Sequence, residues 1–183
     1  DDGSSALSTL LSLATDYRGQ PYEFDKDIAE RFFPDSNDSL TRAKNVRLGM
    51  GPAGYGLVDD QFEFTDLGRE LNEVRDDPER LHDRFARHIL LELDGLKVLE
   101  LVEDLRAAGK QTTNDNLKQG LRDQYDMHID KTSNHWSQMR AWLSQADLVN
   151  TGTHRYEIEW SKVEELTGMT SDELLDLDGL TDE

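Results

Sequence analysis

The sequence predicts a mainly α-helical protein with small β-hairpins, arranged as two modules of similar element order joined by a connecting helix. Apolar residues recur every three or four positions through most of the chain, which is typical of amphipathic helices. In each half, a pair of short β-prone runs around a polar turn follows the third helix. Pro78 suits the first turn of a new helix between the halves. We expect a first module over 1–75, a connecting helix over 76–94, a second module over 95–168 and an acidic tail over 169–183.

The first module is predicted to contain three helices, a hairpin and a fourth helix. The helices are expected over 7–17, from Asp25 to Phe33, and from Asn37 or Asp38 to Val46; the strands over 56–58 and 62–64; and the last helix over 65–74. Thr65 is expected to cap the last helix, because its hydroxyl can accept a hydrogen bond from the first turn.

The second half follows the same order after the connecting helix. A bend is predicted at Asp94 and Gly95, where the connecting helix ends. The expected helices lie over 96–105, 112–121 and 132–146, followed by strands over 148–149 and 155–158. Ser161 and Glu164 have the spacing of a capping box, which predicts a last helix beginning at Ser161.

Acidic residues dominate the composition and are spread along the chain. The 39 Asp and Glu residues outnumber the 20 Lys and Arg residues, giving a formal net charge of −19. We interpret this as a surface adapted to high intracellular salt, as in a halophilic organism. The alternative is an acidic surface that repels nucleic acid. At molar salt the Debye length is about 3 Å, so net charge says little about DNA binding.

No catalytic, cofactor or metal motif is found in the sequence. The G-x-G-x-x-G spacing over 49–54 follows a basic helix and precedes a strand, whereas a phosphate loop needs the opposite order. The histidines lack the H-E-x-x-H spacing of a zinc site, and no G-x-S-x-G motif occurs. No Lys has an acidic residue two positions before it, as a PD-(D/E)xK nuclease requires. We predict that any enzymatic activity lies outside this stretch.

Cysteine usage and hydropathy suggest a location. The chain has no Cys, which excludes disulfides and fits a reducing cytoplasm. No apolar run reaches 18 residues and no signal peptide is visible, so a cytoplasmic protein without a membrane partner is expected. The first residue is Asp1 rather than Met, which is compatible with a segment of a longer protein.

The segment after the first predicted strand carries a family resemblance. Its sequence over 62–71 is F-E-F-T-D-L-G-R-E-L, which resembles the strand and T-x-L-G-R-x-L ending of many winged helix-turn-helix DNA-binding domains. The resemblance covers Ser5–Val74 and, less closely, Leu96–Leu166. It implies a tandem pair of winged-helix modules, similar to those in archaeal regulators and in the DNA-reading parts of restriction and phage-defence proteins. It also implies that Thr65 begins the helix after the wing and that Gly68 allows close packing.

The third helix of each module would then face DNA. Arg and Lys neutralise phosphates, Arg also binds guanine, and Asn or Gln can pair with an adenine edge. The expected DNA contacts are Arg42, Lys44, Asn45 and Arg47 in the first module, and Lys131, Ser133, Asn134, His135, Gln138, Arg140 and Arg155 in the second. Arg47 is expected on an exposed face. The structural alternative is a pair of ordinary polar helix faces, with Arg42, Lys44 and Arg47 paired to nearby Asp. The wing acids Asp59 and Asp60 depart from the usual basic wing.

From these observations we expect a duplex DNA-binding protein or DNA-recognition fragment of a regulatory or restriction and defence system. Other protein subunits are possible partners. Two alternatives stay open: a protein–protein adaptor that uses the same fold, and the non-catalytic part of a larger endonuclease. A positive surface around Arg42, Lys44 and Arg47 would favour DNA, and acids closing over it would favour the adaptor.

Overall fold

The computed structural model describes residues 6–122, 135–150, 152 and 156–169. These residues are mainly helical, with a small two-stranded antiparallel sheet, and this composition confirms the coarse fold class that the sequence predicts. The chain divides into two compact units, Asp1–Leu81 and His82–Glu183. Their boundary falls within the predicted connecting helix. In the described ranges, no helix is long and apolar enough to cross a membrane.

The first unit contains α1 (Ala6–Asp16), α2 (Pro21–Phe32), α3 (Ser39–Met50) and α4 (Asp66–Glu73). α2 begins at Pro21 rather than at Asp25, because the fixed φ of proline suits the first helical turn. Asp25 therefore lies inside the helix, and it is buried. α3 follows Asp38 and α4 follows Thr65, as predicted.

The second unit begins within α5 (Pro78–Glu92), since the boundary between Leu81 and His82 falls inside this helix. α5 starts at Pro78, as predicted. The further elements of the second unit are α6 (Gly95–Ala107), α7 (Asn114–Arg122), α8 (His135–Gln145), β1 (Val149–Asn150), β2 (Glu157–Ile158) and α9 (Trp160–Thr167). The predicted bend is present: Asp94 has a φ of 64°, and α6 begins at Gly95. β1 and β2 pair antiparallel.

Buried apolar side chains form the core of each unit. The fully buried large side chains include Leu7, Leu11, Phe24, Ile28, Leu57, Leu71 and Leu81 in the first unit, and Phe85, Ile89, Leu90 and Leu99 in the second. Burial of such side chains is the main favourable term in folding. Each unit therefore has an apolar core of its own.

The predicted hairpin of the first unit is shorter than expected. Its two strands reduce to a single antiparallel bridge between Val58 and Phe64. The ladder stops because Phe62 takes a left-handed φ of 59° and its carbonyl accepts a hydrogen bond from the Gly19 amide at 3.0 Å. The backbone groups that a longer strand would pair are thus used by the loop between α1 and α2.

The predicted capping box of the last helix is wrong. α9 begins at Trp160, so Ser161 lies inside the helix and does not cap it. The Glu159 amide donates to the Leu148 carbonyl at 2.9 Å, and the Glu159 carbonyl accepts from the Val163 amide at 3.1 Å. The chain therefore passes from β2 into α9 with no room for a separate cap. The further turn predicted at Thr170 and Glu173 lies outside the described residues.

Candidate nucleic-acid interface

α3 buries little of itself and presents a polar surface. Ala43 and Met50 are its buried residues. The exposed side chains, which we call the outer face of α3, are Leu40, Thr41, Arg42, Lys44, Asn45 and Leu48. They span a broad arc opposite Ala43 and Met50, because successive residues of a helix are about 100° apart. This face contains three of the four predicted contacts of the first module.

Arg42 is held by an exposed ion pair. Its Nε donates to Asp38 Oδ1 at 2.9 Å, and its guanidinium carbon lies 5.8 Å from the centroid of the Phe33 ring. The Ser36 hydroxyl donates to the Asp38 carboxylate, and this hydrogen bond, together with the charge and hydrogen bond of Arg42, lowers the pKa of Asp38. Asp38 therefore stays ionised at neutral pH. Exposed pairs of this kind contribute little to stability, because solvent screens them, so Arg42 can exchange Asp38 for a phosphate.

Lys44 and Asn45 are the least constrained polar groups of the outer face. Within the described part of the chain, no carboxylate lies within ion-pair distance of the Lys44 ammonium. The Asn45 side chain is exposed beside it. An ammonium without a described ion-pair partner can bind a phosphate, and an exposed carboxamide can pair with an adenine edge.

Arg47 does not lie on the exposed face, and that expectation was wrong. Its Nε donates to Asp25 Oδ1 at 2.8 Å, and the two side chains are 21% and 8% exposed. Arg47 lies three residues before Met50 and four after Ala43, which are both buried, so helical spacing turns it toward α2. Arg47 therefore joins α3 to α2, and its guanidinium is committed to a buried carboxylate.

The turn of the first hairpin is built around Asp59. Asp59 Oδ1 accepts hydrogen bonds from the amides of Gln61 and Glu63 at 2.9 and 3.0 Å. Phe62 is buried against Phe24, with ring centroids 4.6 Å apart. The Asp59 carboxylate thus stabilises the turn, which gives one of the two unexpected wing acids a structural role.

The T-x-L-G-R-x-L segment fastens α4 to this hairpin. Thr65 Oγ1 donates to the Gly56 carbonyl at 2.6 Å and accepts from the Gly68 amide at 3.2 Å. A Cβ at Gly68 would lie 2.0 Å from the Leu57 carbonyl oxygen, so no other residue fits. Arg69 Nη1 donates to the Phe64 carbonyl at 2.9 Å. The capping by Thr65 and the close packing at Gly68 agree with what the motif implies.

Most predicted contacts of the second module lie outside the described structure. Lys131, Ser133, Asn134 and Arg155 are outside the described residues. His135 and Gln138 belong to α8, but their side chains are not described.

Arg140 is the described member of the second set. Its Nη1 donates to Tyr156 Oη at 2.8 Å, and its guanidinium carbon lies 5.3 Å from the Tyr156 ring centroid. Because Tyr156 immediately precedes β2, these contacts join α8 to the hairpin. Arg140 is partly exposed, so it keeps some surface for a ligand.

A cavity of about 670 Å³ lies beside the second hairpin. Its lining includes three carboxylates, two hydroxyls, one amide and one ammonium: Asp147, Glu159, Glu165, Ser144, Ser161, Asn150 and Lys162. The ammonium is already engaged, since Lys162 Nζ donates to the Ala146 carbonyl at 2.5 Å and lies 3.0 Å from Asp83 Oδ1. Over the residues with described positions, no group of His, Asp or Glu side chains could hold a metal ion.

Sequence analysis did not identify two exposed leucines and one buried carboxylate. Leu40 and Leu48 of α3 are 47% and 51% exposed. Asp25 is predicted to begin a helix, but its spacing to Ile28 and Ala29 places it on the buried face of α2.

Comparison with known proteins adds no relative: no family model, curated protein or solved structure matches this chain.

Proposed function

We propose that this chain binds duplex DNA through two winged-helix modules, with α3 and α8 as the helices that enter the major groove. The element order supports the proposal. In the first unit α1, α2 and α3 precede the Val58–Phe64 hairpin and α4, and in the second α6, α7 and α8 precede β1, β2 and α9. A third helix followed by a hairpin wing is the order of winged helix-turn-helix domains, in which the third helix contacts base edges.

The observation that carries the proposal is the outer face of α3. Three polar side chains, those of Arg42, Lys44 and Asn45, are exposed there, and each suits a different part of DNA. Among the described residues the Lys44 ammonium has no ion-pair partner and suits phosphate or guanine, Asn45 can bind an adenine edge, and Arg42 is held by an exposed ion pair and the Phe33 ring. Arg47 is excluded from direct contact because Asp25 engages it.

In the second module, α8 and the hairpin would extend the contact. Arg140 joins α8 to Tyr156, which sets the hairpin against the helix that we propose enters the groove. Asn134, His135 and Gln138 remain proposed base contacts, and Lys131, Ser133 and Arg155 proposed contacts to phosphate or base.

The acidic composition sets the conditions under which such binding would occur. We propose that the protein works in the salt-rich cytoplasm of a halophilic archaeon, as part of a regulatory or a restriction and defence system. High salt weakens the electrostatic share of DNA affinity, because counterion release gains less free energy. Base-edge and apolar contacts then carry more of the specificity, which fits a reading face with few cations and several hydrogen-bonding and apolar side chains.

A protein-docking role is the second candidate, and the two exposed leucines favour it. Leu40 and Leu48 lie on either side of Lys44 along the outer face of α3. In a DNA complex such side chains would contact thymine methyl groups. In a protein complex they would enter an apolar groove of a partner that places a carboxylate against Lys44.

A binding-site selection from random duplex DNA at about 1 M KCl, where the Debye length is about 3 Å, tests the proposal. We expect the chain to enrich a sequence. Lys44→Gln should weaken binding to it by roughly 5- to 100-fold, the range for loss of a base contact. Lys26→Gln is the matched control, because Lys26 is exposed on α2, where its ammonium lies 3.6 Å from Glu23 Oε2. It should bind as the parent does.

The same experiment separates the two candidates. If the parent chain enriches no sequence, the DNA-binding proposal is wrong. If it then self-associates in sedimentation equilibrium and the Leu40→Ser/Leu48→Ser variant does not, the docking role replaces DNA binding. If that variant only reduces preference for duplexes with thymine over uracil, the leucines contact methyl groups and the DNA-binding role is supported.

A further inference from the structure

The Asp25–Arg47 pair is the most buried ion pair described in the chain, and it joins the two helices on which a helix-turn-helix depends. Asp25 lies in the second turn of α2 and Arg47 in the last turn of α3. The Asp25 side chain is 8% exposed, and the distance from Arg47 Nε to Asp25 Oδ1 is 2.8 Å. Leaving a charge at such a site without its partner is strongly unfavourable, so the two side chains hold one another in place.

Apolar packing alone gives α3 little to fix its orientation. Ala43 is too small to interlock deeply, and Met50 is the last residue of the helix and a flexible side chain. The backbone fastens the end of α3, where the Gly49 and Met50 carbonyls accept from the Tyr55 and Leu57 amides, each at 2.7 Å. α3 packs closely against α2, and among the described residues the Asp25–Arg47 pair is the ion pair that joins these two helices.

A small rotation of α3 would move the proposed reading side chains. Lys44 lies three residues before Arg47, so the two project from neighbouring positions on the helix surface. At about 5 Å from the helix axis, a rotation of about 20° displaces a side chain by roughly 2 Å. Recognition of a base needs placement within about 0.5 Å. Fixing Arg47 therefore fixes where Lys44 and Asn45 point.

We propose that Asp25 and Arg47 are positioning residues, which set the rotation of α3 so that Lys44 and Asn45 meet the bases while Arg47 itself contacts no DNA. This inference rests on the proposed DNA-binding function. It assigns a role to a buried carboxylate that no DNA contact explains, and it accounts for a basic residue of α3 that faces inward.

The test compares Asp25→Asn with Arg47→Ala, since the two remove the same pair from opposite sides. Asp25→Asn keeps the guanidinium and frees it, so a DNA-contacting Arg47 would bind as well as before or better. A positioning pair predicts instead that each variant weakens binding to the selected duplex by about tenfold, within the range for one lost base contact. The double variant should bind no worse than either single one. Arg31→Ala, which removes an exposed ion pair with Asp27 on α2, is the matched control and should bind normally.

Hydrogen exchange without DNA gives a second measurement that is independent of the proposed function. Both variants should speed exchange of the α3 amides by at least several-fold and leave α1 protected. Unchanged α3 exchange in Asp25→Asn would overturn the inference even if the chain binds DNA. Faster α3 exchange in a chain that binds no duplex would show that the pair orients α3 for another partner, and the inference in its DNA-reading form would fail together with the proposed function. If each variant loses DNA binding only in proportion to its loss of folded protein, measured by circular dichroism, the pair has a structural role and the inference is wrong.

Discussion

The third helices of the two units have the same place in the element order but are held in different ways. α8 buries Met139 and Leu143, and Trp142 packs edge-on against Phe85 with ring centroids 5.3 Å apart. α3 buries Ala43 and Met50 and depends on the Asp25–Arg47 pair. Apolar packing thus anchors α8, and a charged pair anchors α3.

This difference explains why the exposed side chains of the outer face of α3 are available to bind a ligand. The size of a side chain in a core is constrained, because a change of even one methylene group disturbs the packing there. α3 contributes few such side chains, so its remaining positions are free to carry Lys44, Asn45 and two exposed leucines. The Asp25–Arg47 ion pair adds a directional contact between α3 and α2.

The two units also differ in the helix that follows the hairpin. In the first unit, the third residue of the helix after the hairpin is Gly68, and the Leu57 carbonyl occupies the space of its missing side chain. In the second unit, the third residue of α9 is Lys162, whose ammonium reaches the Ala146 carbonyl and Asp83. The first hairpin thus meets its helix backbone to backbone at Gly68, whereas the equivalent position of α9 carries a long side chain that contacts the end of α8 and Asp83.

The largest expected effect is that of Gly68→Ala. A Cβ 2.0 Å from the Leu57 carbonyl oxygen and 2.8 Å from Phe64 Cδ1 forces the hairpin away from α4. We expect a loss of about 3 kcal/mol or more in the free energy of unfolding, measured by urea denaturation.

Gly49→Ala is the matched control, because a Cβ at Gly49 in α3 meets no atom within 4 Å. Alanine favours helix over glycine by about 0.5–1 kcal/mol, so this variant should be as stable as the parent or more stable. Equal stability of Gly68→Ala and the parent would contradict the close approach of α4 to the hairpin.

The next effect compares two leucines in the third helices. Leu143 in α8 is fully buried, and its replacement by Ala should lower the free energy of unfolding by about 2–5 kcal/mol. Leu48 in α3 is half exposed, so Leu48→Ala should change it by less than about 0.5 kcal/mol. Similar losses in both variants, measured by urea denaturation, would show that α3 is anchored by apolar contacts after all.

Local signals in the sequence predicted the helices well. Thr65, Pro78 and the Asp94–Gly95 bend each mark a boundary through their own chemistry, and the structure has these boundaries where expected. Signals that depend on neighbours far along the chain failed. Ser161 has the spacing of a cap, but the path from β2 into α9 leaves it inside the helix.

The candidate site was predicted only in part, for a related reason. Exposure of Arg42, Lys44 and Asn45 followed from helical spacing. The same spacing places Arg47 beside Ala43 and Met50, but its positive charge predicts exposure. In the structure Arg47 is largely buried because it pairs with Asp25. A buried charge is explained only by its partner, and these partners are 22 residues apart in the chain.

Salt should change stability less than either core substitution. If the net charge of −19 reflects adaptation to salt, repulsion between carboxylates loosens the fold in dilute buffer. The midpoint of thermal unfolding should rise by about 5 °C between roughly 0.1 and 3 M KCl, as screening becomes nearly complete. A flat curve would contradict adaptation to salt and favour a dedicated acidic surface.

The smallest expected effect is a difference in pH dependence between the units. In the second unit, burial lowers the pKa of His82, and Asp83 opposes this only partly. His82 Nε2 is buried and has no hydrogen-bond partner among the described residues. In the first unit, hydrogen bonds from Tyr17 and then Arg31 lower the pKa of Asp27 against its partial burial.

The direction of each effect follows from proton binding. Both groups bind protons more weakly when folded, so each contributes stability that is present above its unfolded pKa and lost as the pH falls. The loss begins below about pH 6.5 for His82 and below about pH 3.9 for Asp27. Hydrogen exchange of α6 and α1 from pH 7 to 5, corrected for intrinsic rates, should show the second unit alone weakening. His82→Leu should remove that slope, and Asp27→Asn should leave it intact. If the pH dependence of α6 exchange persists in His82→Leu, another group causes it and the prediction for His82 is wrong.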